Sequence, residues 1–373
     1  MSFDLYVELG GSSKEDVDGI VSGRLRNTAI PDVATRVRLL AGVAAVNEGV
    51  KDYAVAGDRR RGRGYKSLVH LAHSGNRRGT EYAKNTIQEG WQLLRGLGLL
   101  TPPALPAHLP PGSWLLQFEF RLAKPWLSKD DDPFYMTDSV NPVRKDKVFK
   151  IPVMAASSWK GLLRWAVMHV HLVEKKHKMT VEEFAERRLA HTLLFGDEKG
   201  EEPGGTKDFA KFLDDLGPDA KRPYRQKVRQ RFNLTDNEDL PHHSGRLVCY
   251  PTFFNLIDLE VINPHSRKTR AGTNPVYLES VPAGAKGTFS LLYVPLDLIG
   301  QPGNRITHQA RQDLQAVCPA ISALLLTYGF SAKRTSGFGA AEEGISGAIR
   351  TRADERALAG LSKLPEEASH VRF

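Results

Sequence analysis

F-K-I-P-V-M-A-A-S-S-W-K-G-L-L-R-W-A-V-M-H-V-H-L-V, Phe149 to Val173, is the stretch on which the rest of the chain is read. A short apolar approach and a proline lead to two serines. Behind them Leu162, Leu163, Ala166, Val167, Val170 and Val173 recur at helical spacing. The pattern predicts an amphipathic helix whose first free amides are satisfied by the side chain of Ser157 or Ser158. Lys160 and Arg164 lie four residues apart and project from one side of it. A helix start with two cations suits a phosphate. The bland alternative is a solvated helix face.

Upstream, S-W-L-L-Q-F-E-F-R-L sets Trp114, Leu116, Phe118, Phe120 and Leu122 against Leu115, Gln117, Glu119 and Arg121. Period two with one apolar face predicts a strand. Between strand and helix runs W-L-S-K-D-D-D-P-F-Y-M-T-D-S-V-N-P-V-R-K-D, an acidic and then polar loop. A loop of that length inside a compact domain is usually functional or disordered.

Downstream, L-L-F-G (Leu193 to Gly196) closes a charged helical stretch, and residues 197–245 read as an insertion. Within it, K-R-P-Y-R-Q-K-V-R-Q-R-F holds six cations and no acid, with Tyr224 and Phe232 interleaved. Cations among aromatics are what a single-stranded RNA groove uses, which makes Arg225 and Arg229 candidates. A plain solvated helix is the competing reading. Strands are expected in Arg246–Val261 and Thr273–Val294, with a basic tip, N-P-H-S-R-K-T-R, between them. A helix is expected from about His308, kinked or restarted at Pro319. Last comes S-A-K-R-T-S-G-F-G-A-A-E-E, Ser331 to Glu343, whose glycines allow close backbone approach.

From 113 to 346 the order is therefore strand, helix, strand, strand, helix, strand. That predicts an α+β fold with a ferredoxin-like, RRM-like βαββαβ core, whose open sheet is a familiar platform for single-stranded RNA. Residues 1–105 form a mainly helical, basic N-terminal region with helices near 33–46 and 82–97. It carries the arginine-glycine run R-R-R-G-R-G-Y and a second basic stretch, H-S-G-N-R-R-G-T. A linker with five prolines, Thr101 to Gly112, separates it from a domain spanning 106–350. Residues 351–373 are expected as a tail.

Composition is consistent with a polyanionic partner. Fifty-two Lys and Arg against 43 Asp and Glu give a net charge of +9. Two cysteines are too few for a disulfide framework or a cysteine-based zinc site, and the histidines do not fall at metal-sharing helical spacing. No long apolar run and no signal peptide is present, so a cytoplasmic protein with no membrane partner is expected.

P-V-M-A-A-S-S-W-K-G-L-L-R resembles the P-x-I-P-G-S-S-L-K-G-x-x-R segment of the RAMP superfamily, the RNA-binding subunits of CRISPR effector complexes. Ala156 and Trp159 stand where the family has glycine and leucine. P-V-Y-L-E-S-V-P-A-G-A-K-G-T-F and the S-G-F-G end resemble two further family segments, in the order the family requires. The resemblance implies a type III-like effector subunit that holds crRNA by its backbone, with target RNA and other effector subunits as partners. Its RNA-binding positions map to Ser157, Ser158, Lys160, Arg164, Lys333, Arg334, Ser336, Gly337 and Gly339, with Arg144 in the preceding loop. It also implies a cleaving aspartate in that loop. T-D-S-V-N-P-V-R-K-D matches the family loop with two extra residues and puts Asp138 on the aspartate, with Asp131 and Asp132 as alternatives. Magnesium would be the ion, and no organic cofactor is implied. A non-catalytic scaffold or capping subunit, and a stand-alone repeat-processing endoribonuclease using a histidine base, remain the alternatives.

Overall fold

The computed structural model describes residues 13–56, 64–70, 80–100, 105–128, 141–198, 209–235, 242–263 and 276–373. It is a mixed α+β fold with antiparallel sheets. The N-terminal region is helical as expected: α1 (Lys14–Val21), α2 (Val33–Val46), α3 (Lys51–Ala56), α4 (Tyr65–Val69) and α5 (Gln88–Gly96), the last entered through a π turn at Tyr82–Ile87. Ser13 and Asp16 cap α1 reciprocally, and Asp32 caps α2. The apolar faces of these helices join the same hydrophobic cluster as the main sheet.

β1 (Trp114–Arg121) is followed by α6 (Ala156–Met168), α7 (Val181–Phe195), α8 (Phe209–Leu216) and α9 (Lys221–Phe232). Then come β2 (Leu247–Cys249), β3 (Asp258–Ile262), β4 (Val276–Ser280), β5 (Lys286–Tyr293), α10 (Gly303–Ala323), β6 (Gly344–Arg350), β7 (Glu355–Gly360) and α11 (Leu364–Ser369). The main sheet runs β7-β6-β1-β5-β2, every neighbour antiparallel. β3 and β4 form a separate hairpin, whose expected basic tip lies outside the described residues. Phe118 sits opposite Phe289 and Leu116 opposite Leu291, so alternate residues of both strands line one face. There they meet Trp159 of α6, whose ring lies edge-on to Phe120 and Phe289 and stacked on Phe330 at 5.1 Å.

Four expectations need correction. The helix expected from His308 begins at Gly303 and runs through Pro319 to Ala323, ending in a π turn at Leu324–Tyr328. Burial of Leu314, Val317, Cys318, Ala320 and Ile321 holds it across the hydrogen bond that proline cannot donate. Residues 351–373 are no tail, because β7 pairs along β6 and forms the sheet edge. The predicted second and third strands are each broken, the former by Tyr250–Pro251 and the latter by the turn around Gly284.

The fourth concerns the far face of the sheet. It carries the polar residues Gln117, Glu119, Arg121, Thr288, Ser290, Ser346 and Arg350 beside Leu115, Leu292 and Ala348. Its strands put no aromatic on it, since every ring of these strands alternates to the helix side. Lys286 pairs with Glu119 at 2.7 Å and Arg350 with Glu355 at 3.0 Å. This face lacks the stacking rings of an RRM platform, so the open-sheet RNA surface expected from the sequence is not built here.

Candidate nucleic-acid interface

Three segments separated in sequence meet around α6. The chain after β1 crosses the glycine-rich segment: Leu127 N–H donates to Ser331 Oγ at 2.7 Å, Ala332 N–H to Leu127 O at 2.9 Å, and Gly339 N–H to Pro125 O at 2.7 Å. Arg144 N–H donates to Ser128 O at 3.0 Å, and Val153 N–H donates to Arg144 O at 3.0 Å, which brings in the segment before α6. Trp126 Nε1 donates to Phe330 O at 3.1 Å, fixing the third segment to the first.

α6 starts differently from expectation. Its N-cap is Ala155, extended at φ −67°, ψ 150°, with no side-chain cap. The two-residue ladder of Val153–Met154 with Thr252–Phe253 keeps the chain extended to that point, and Trp159 must face inward to donate Nε1 to Thr252 Oγ1 at 2.9 Å. Ser157 and Ser158 consequently fall in the first turn and do not cap it. Ser157 is exposed, Ser158 half-buried, and neither hydroxyl is bonded among the described residues. The amides of Ala156 and Ser157 find no acceptor there either, so donors stay open at the positive end of the helix dipole. Gly161, one turn on from Ser157, is exposed, and a Cβ added to it would touch nothing within 4 Å. The result is an open shelf on the first half of α6.

The predicted cations divide. Lys160 is half-exposed and carries no ion pair among the described residues. Arg164, on the same side by spacing, is committed elsewhere. Its Nη2 donates to Gly196 O at 2.6 Å and Asp197 O at 2.5 Å, and its guanidinium lies 5.4 Å from the centre of the Phe209 ring. Burial lowers its pKa from the ordinary arginine value, with Glu198 and Asp197 opposing. Arg164 thus clamps the start of the insertion to α6 rather than facing solvent as one of a phosphate-binding pair. Arg144 is exposed beside the buried Lys145 and has no ion pair among the described residues. Lys333 is exposed at φ +59°, a left-handed conformation uncommon outside glycine, and it launches the 3-10 turn Arg334–Ser336. Ser336 and Gly337 are exposed on that turn.

Gly337 and Gly339 are not equivalent. Both have positive φ, +81° and +73°, but a Cβ on Gly337 would meet nothing within 4 Å. On Gly339, a buried residue, it would lie 2.7 Å from Ser331 N. Only the first is free to admit a ligand backbone.

The basic run of the insertion is a correction too. Tyr224 is buried, with Arg188 stacked 4.1 Å from its ring centre, and Phe232 packs on the same small cluster with Phe184, Leu213 and Val228. These aromatics are core, not base platforms. Lys221 pairs with Asp214, Lys227 with Glu182 and Glu186, and Arg231 with Asp297. Arg229 donates to Thr235 O at 2.7 Å, and Arg225 is exposed. The run sits on α9, which packs on α7 and is one helix removed from α6.

Asp130, Asp131, Asp132 and Asp138 lie outside the described residues, as do the arginines of the R-R-R-G-R run and the second basic stretch. The histidines bear on the repeat-processing alternative. Burial pushes His191 down to about 3, against the hydrogen bond it shares with Arg164 O, and burial lowers His171 as well. An imidazole held as low as that of His191 is a poor proton acceptor near neutral pH. Among the described residues, no His, Cys, Asp or Glu group is arranged to hold a metal ion, and no helix is long and apolar enough to cross a membrane.

One group of residues went unnoticed in the sequence. Trp165 lies one turn beyond Gly161, with His169 stacked on it at 4.9 Å and Tyr328 edge-on at 5.1 Å. The guanidinium of Arg334 rests 4.6 Å from the indole centre. The Ser157–Gly161–Trp165 spacing of four was the available signal, hidden because a tryptophan in an apolar helix reads as core.

The family model described as RAMPs, RAMP superfamily, matches residues 133–342, which includes α6 and the glycine-rich segment. The chain belongs to the RAMP superfamily. It is similar to a chain of the type III-B Cmr-beta complex bound to cognate target RNA, at 11% identity and a TM-score of 0.38, covering 88% of this chain and 92% of that one. It is also similar to Cmr6 from Pyrococcus furiosus, at 14% identity and a TM-score of 0.28, covering 61% of this chain and 97% of that one. No curated protein matches.

Proposed function

We propose that this chain is an RNA-binding subunit of a type III-like CRISPR effector ribonucleoprotein, with other effector subunits as neighbours. It holds crRNA by its phosphates and leaves sequence to base pairing. Membership of the RAMP superfamily supports this, and one observation carries it. The first turns of α6 carry the serines and Lys160, which has no ion pair among the described residues, and the Lys333–Gly337 turn is brought to the same helix by Arg334, whose guanidinium rests on Trp165. The strand order β6-β1-β5-β2, with α6 and α10 as the two crossovers, supports a ferredoxin-like split unit as the core. The RNA surface then lies over α6 and the glycine-rich turn, not on the sheet.

Lys160→Ala with Lys333→Ala tests the reading. Each phosphate contact through a cation contributes about 1.5 kcal/mol or more, so each loss weakens binding roughly tenfold. The slope of log affinity against log salt should shrink by about 1.4 for the pair on single-stranded RNA, equally for all sequences. Filter binding over a salt series on variants of unchanged melting temperature measures this. Wild-type affinity and slope in the double variant would make both lysines ordinary solvated residues. Arg164 is left intact because its loss would loosen the insertion.

The family resemblance extends the proposal to chemistry. Asp138, in the loop ahead of α6, is proposed to cleave paired target RNA with magnesium. Asp138→Ala in the assembled complex is expected to leave guide and target binding unchanged and remove one magnesium-dependent cut, the signature of an interaction made only in the transition state. Asp130, Asp131 and Asp132 are changed in parallel because of the two extra residues. If all four variants cleave like wild type, the subunit is a scaffold.

A further inference from the structure

The grouping of Trp165, His169, Tyr328 and Arg334 has a chemistry the phosphate contacts do not use. Arg334 leaves the left-handed Lys333 and passes over Gly329, where an added Cβ would lie 3.7 Å from Arg334 Cγ. Its guanidinium settles on the Trp165 indole. His169 stacks on the same indole with an interplanar angle of 12°, and Tyr328 stands at 86° to the indole and 89° to the imidazole. Tyr328 Oη donates to Glu174 Oε1 at 2.5 Å, and His169 Nε2 lies 3.8 Å from the same oxygen. The acid of this group is therefore engaged by the rings, while Arg334 has no ion pair among the described residues. Its stem is cradled, its guanidinium rests against an aromatic ring, and its donors are open among the described residues. An arginine held for its charge alone needs none of that, because a mobile side chain can also meet a phosphate as a point charge.

Resting on the proposed RNA-binding function, we infer that Arg334, backed by Trp165, is a stacking plate for one nucleobase of the bound RNA. His169 and Arg334 both lie against the indole, so the plane offered to a base is the guanidinium's rather than the ring's. A base there gains stacking and cation–π contact, worth about 1–3 kcal/mol per base on comparable platforms. The base would belong to a nucleotide whose phosphate lies at the adjoining Lys333–Gly337 turn. It has to leave its neighbours in the strand to reach the plate, so the site marks a kink in the RNA path. Any of the four bases fits, since each has a π face.

Single-stranded RNA carrying 2-aminopurine at each position in turn, bound to the full chain, tests this. Wild type should quench one position several-fold, because stacking quenches that base. Arg334→Lys keeps the charge and loses the plane. It should abolish the quench and weaken binding about as much as Arg334→Ala, with the salt slope unchanged. Trp165→Leu should release the quench as well, with circular dichroism checking its fold. If Arg334→Lys binds and quenches like wild type, or if Arg334→Ala lowers the salt slope by about 0.7, Arg334 is a phosphate contact and the stacking plate is wrong. RNA bound with no position quenched overturns the plate alone. RNA not bound at all overturns the functional reading, and the plate with it.

Discussion

Glu279→Gln is expected to lower the unfolding free energy by about 3–5 kcal/mol, the cost of leaving a buried charge without its partner. Glu279, on β4, has no exposed side-chain surface. It pairs with the Nζ of Lys145, lies 3.0 Å from His70 Nε2, and accepts from Val143 N–H at 3.2 Å. Three parts of the chain meet on this carboxylate: the end of α4, the segment leading to α6, and the β3–β4 hairpin. The substitution keeps the shape and removes the buried negative charge that Lys145 faces. Denaturant unfolding of the two proteins checks the size of the effect. A change under about 1 kcal/mol would mean that water or another group already satisfies Lys145.

The same carboxylate predicts a pH dependence. Burial pushes its pKa up, but the charge of Lys145 and the hydrogen bond with His70 outweigh burial and hold it at about 2, against 4.5 for an ordinary glutamate. A carboxyl whose pKa is depressed on folding gives stability that is present above the unfolded value. That stability is lost as pH falls through the folded value. The contribution is on the order of 3 kcal/mol, lost between about pH 4.5 and pH 2. In Glu279→Gln this part of the acid limb should be missing, which a difference between the two stability curves would show. The consequence reaches the site, since Arg144 is the exposed neighbour of the buried Lys145.

How much of this the sequence disclosed depended on whether a residue's role was local. The alternation of Trp114 to Leu122 and the helical spacing of Leu162 to Val173 are local, and β1 and α6 follow them. The matching motifs placed the chain in its family for the same reason. Partners supplied by distant segments were not legible. Lys160 and Arg164 look alike four residues apart, yet Arg164 is spent on two carbonyls at the start of the insertion, those of Gly196 and Asp197, 32 and 33 residues away. Lys221, Lys227 and Arg231 look free in the sequence, but their acids lie on α8, α7 and the turn before α10. Tyr224 and Phe232 look like base platforms because composition does not reveal the small core they fill. The far face of the sheet could have been read: with Phe118 and Phe120 inward, period two leaves Leu115, Gln117, Glu119 and Arg121 outward, none of them aromatic.

Gly339→Ala should destabilise the fold by roughly 3 kcal/mol or more, whereas Gly337→Asn should cost under about 1 kcal/mol. The two glycines share a left-handed backbone and lie two residues apart, so conformation alone predicts similar penalties of about 1–2 kcal/mol, less for asparagine. Their surroundings separate them. Around Gly339 the backbone is clasped on both sides, with Gly339 N–H donating to Pro125 O and Phe330 N–H to Gly339 O at 2.9 Å. Ser331, against which the new methyl would press, is fixed in turn, accepting from Leu127 N–H and donating Oγ–H to Leu127 O at 3.0 Å. Neither side can retreat without breaking hydrogen bonds, so overpacking adds about 1–3 kcal/mol to the conformational cost. At Gly337 an added Cβ would meet nothing within 4 Å among the described residues. Equilibrium denaturation of the two variants measures the difference, and RNA binding of Gly337→Asn reads the other half of the argument. If the turn meets RNA through its backbone, that variant should be nearly as stable as wild type and bind RNA more weakly. Equal destabilisation at both positions would mean the clasp around Gly339 yields to a methyl group. Unchanged RNA affinity in Gly337→Asn would place the RNA path elsewhere than over this turn.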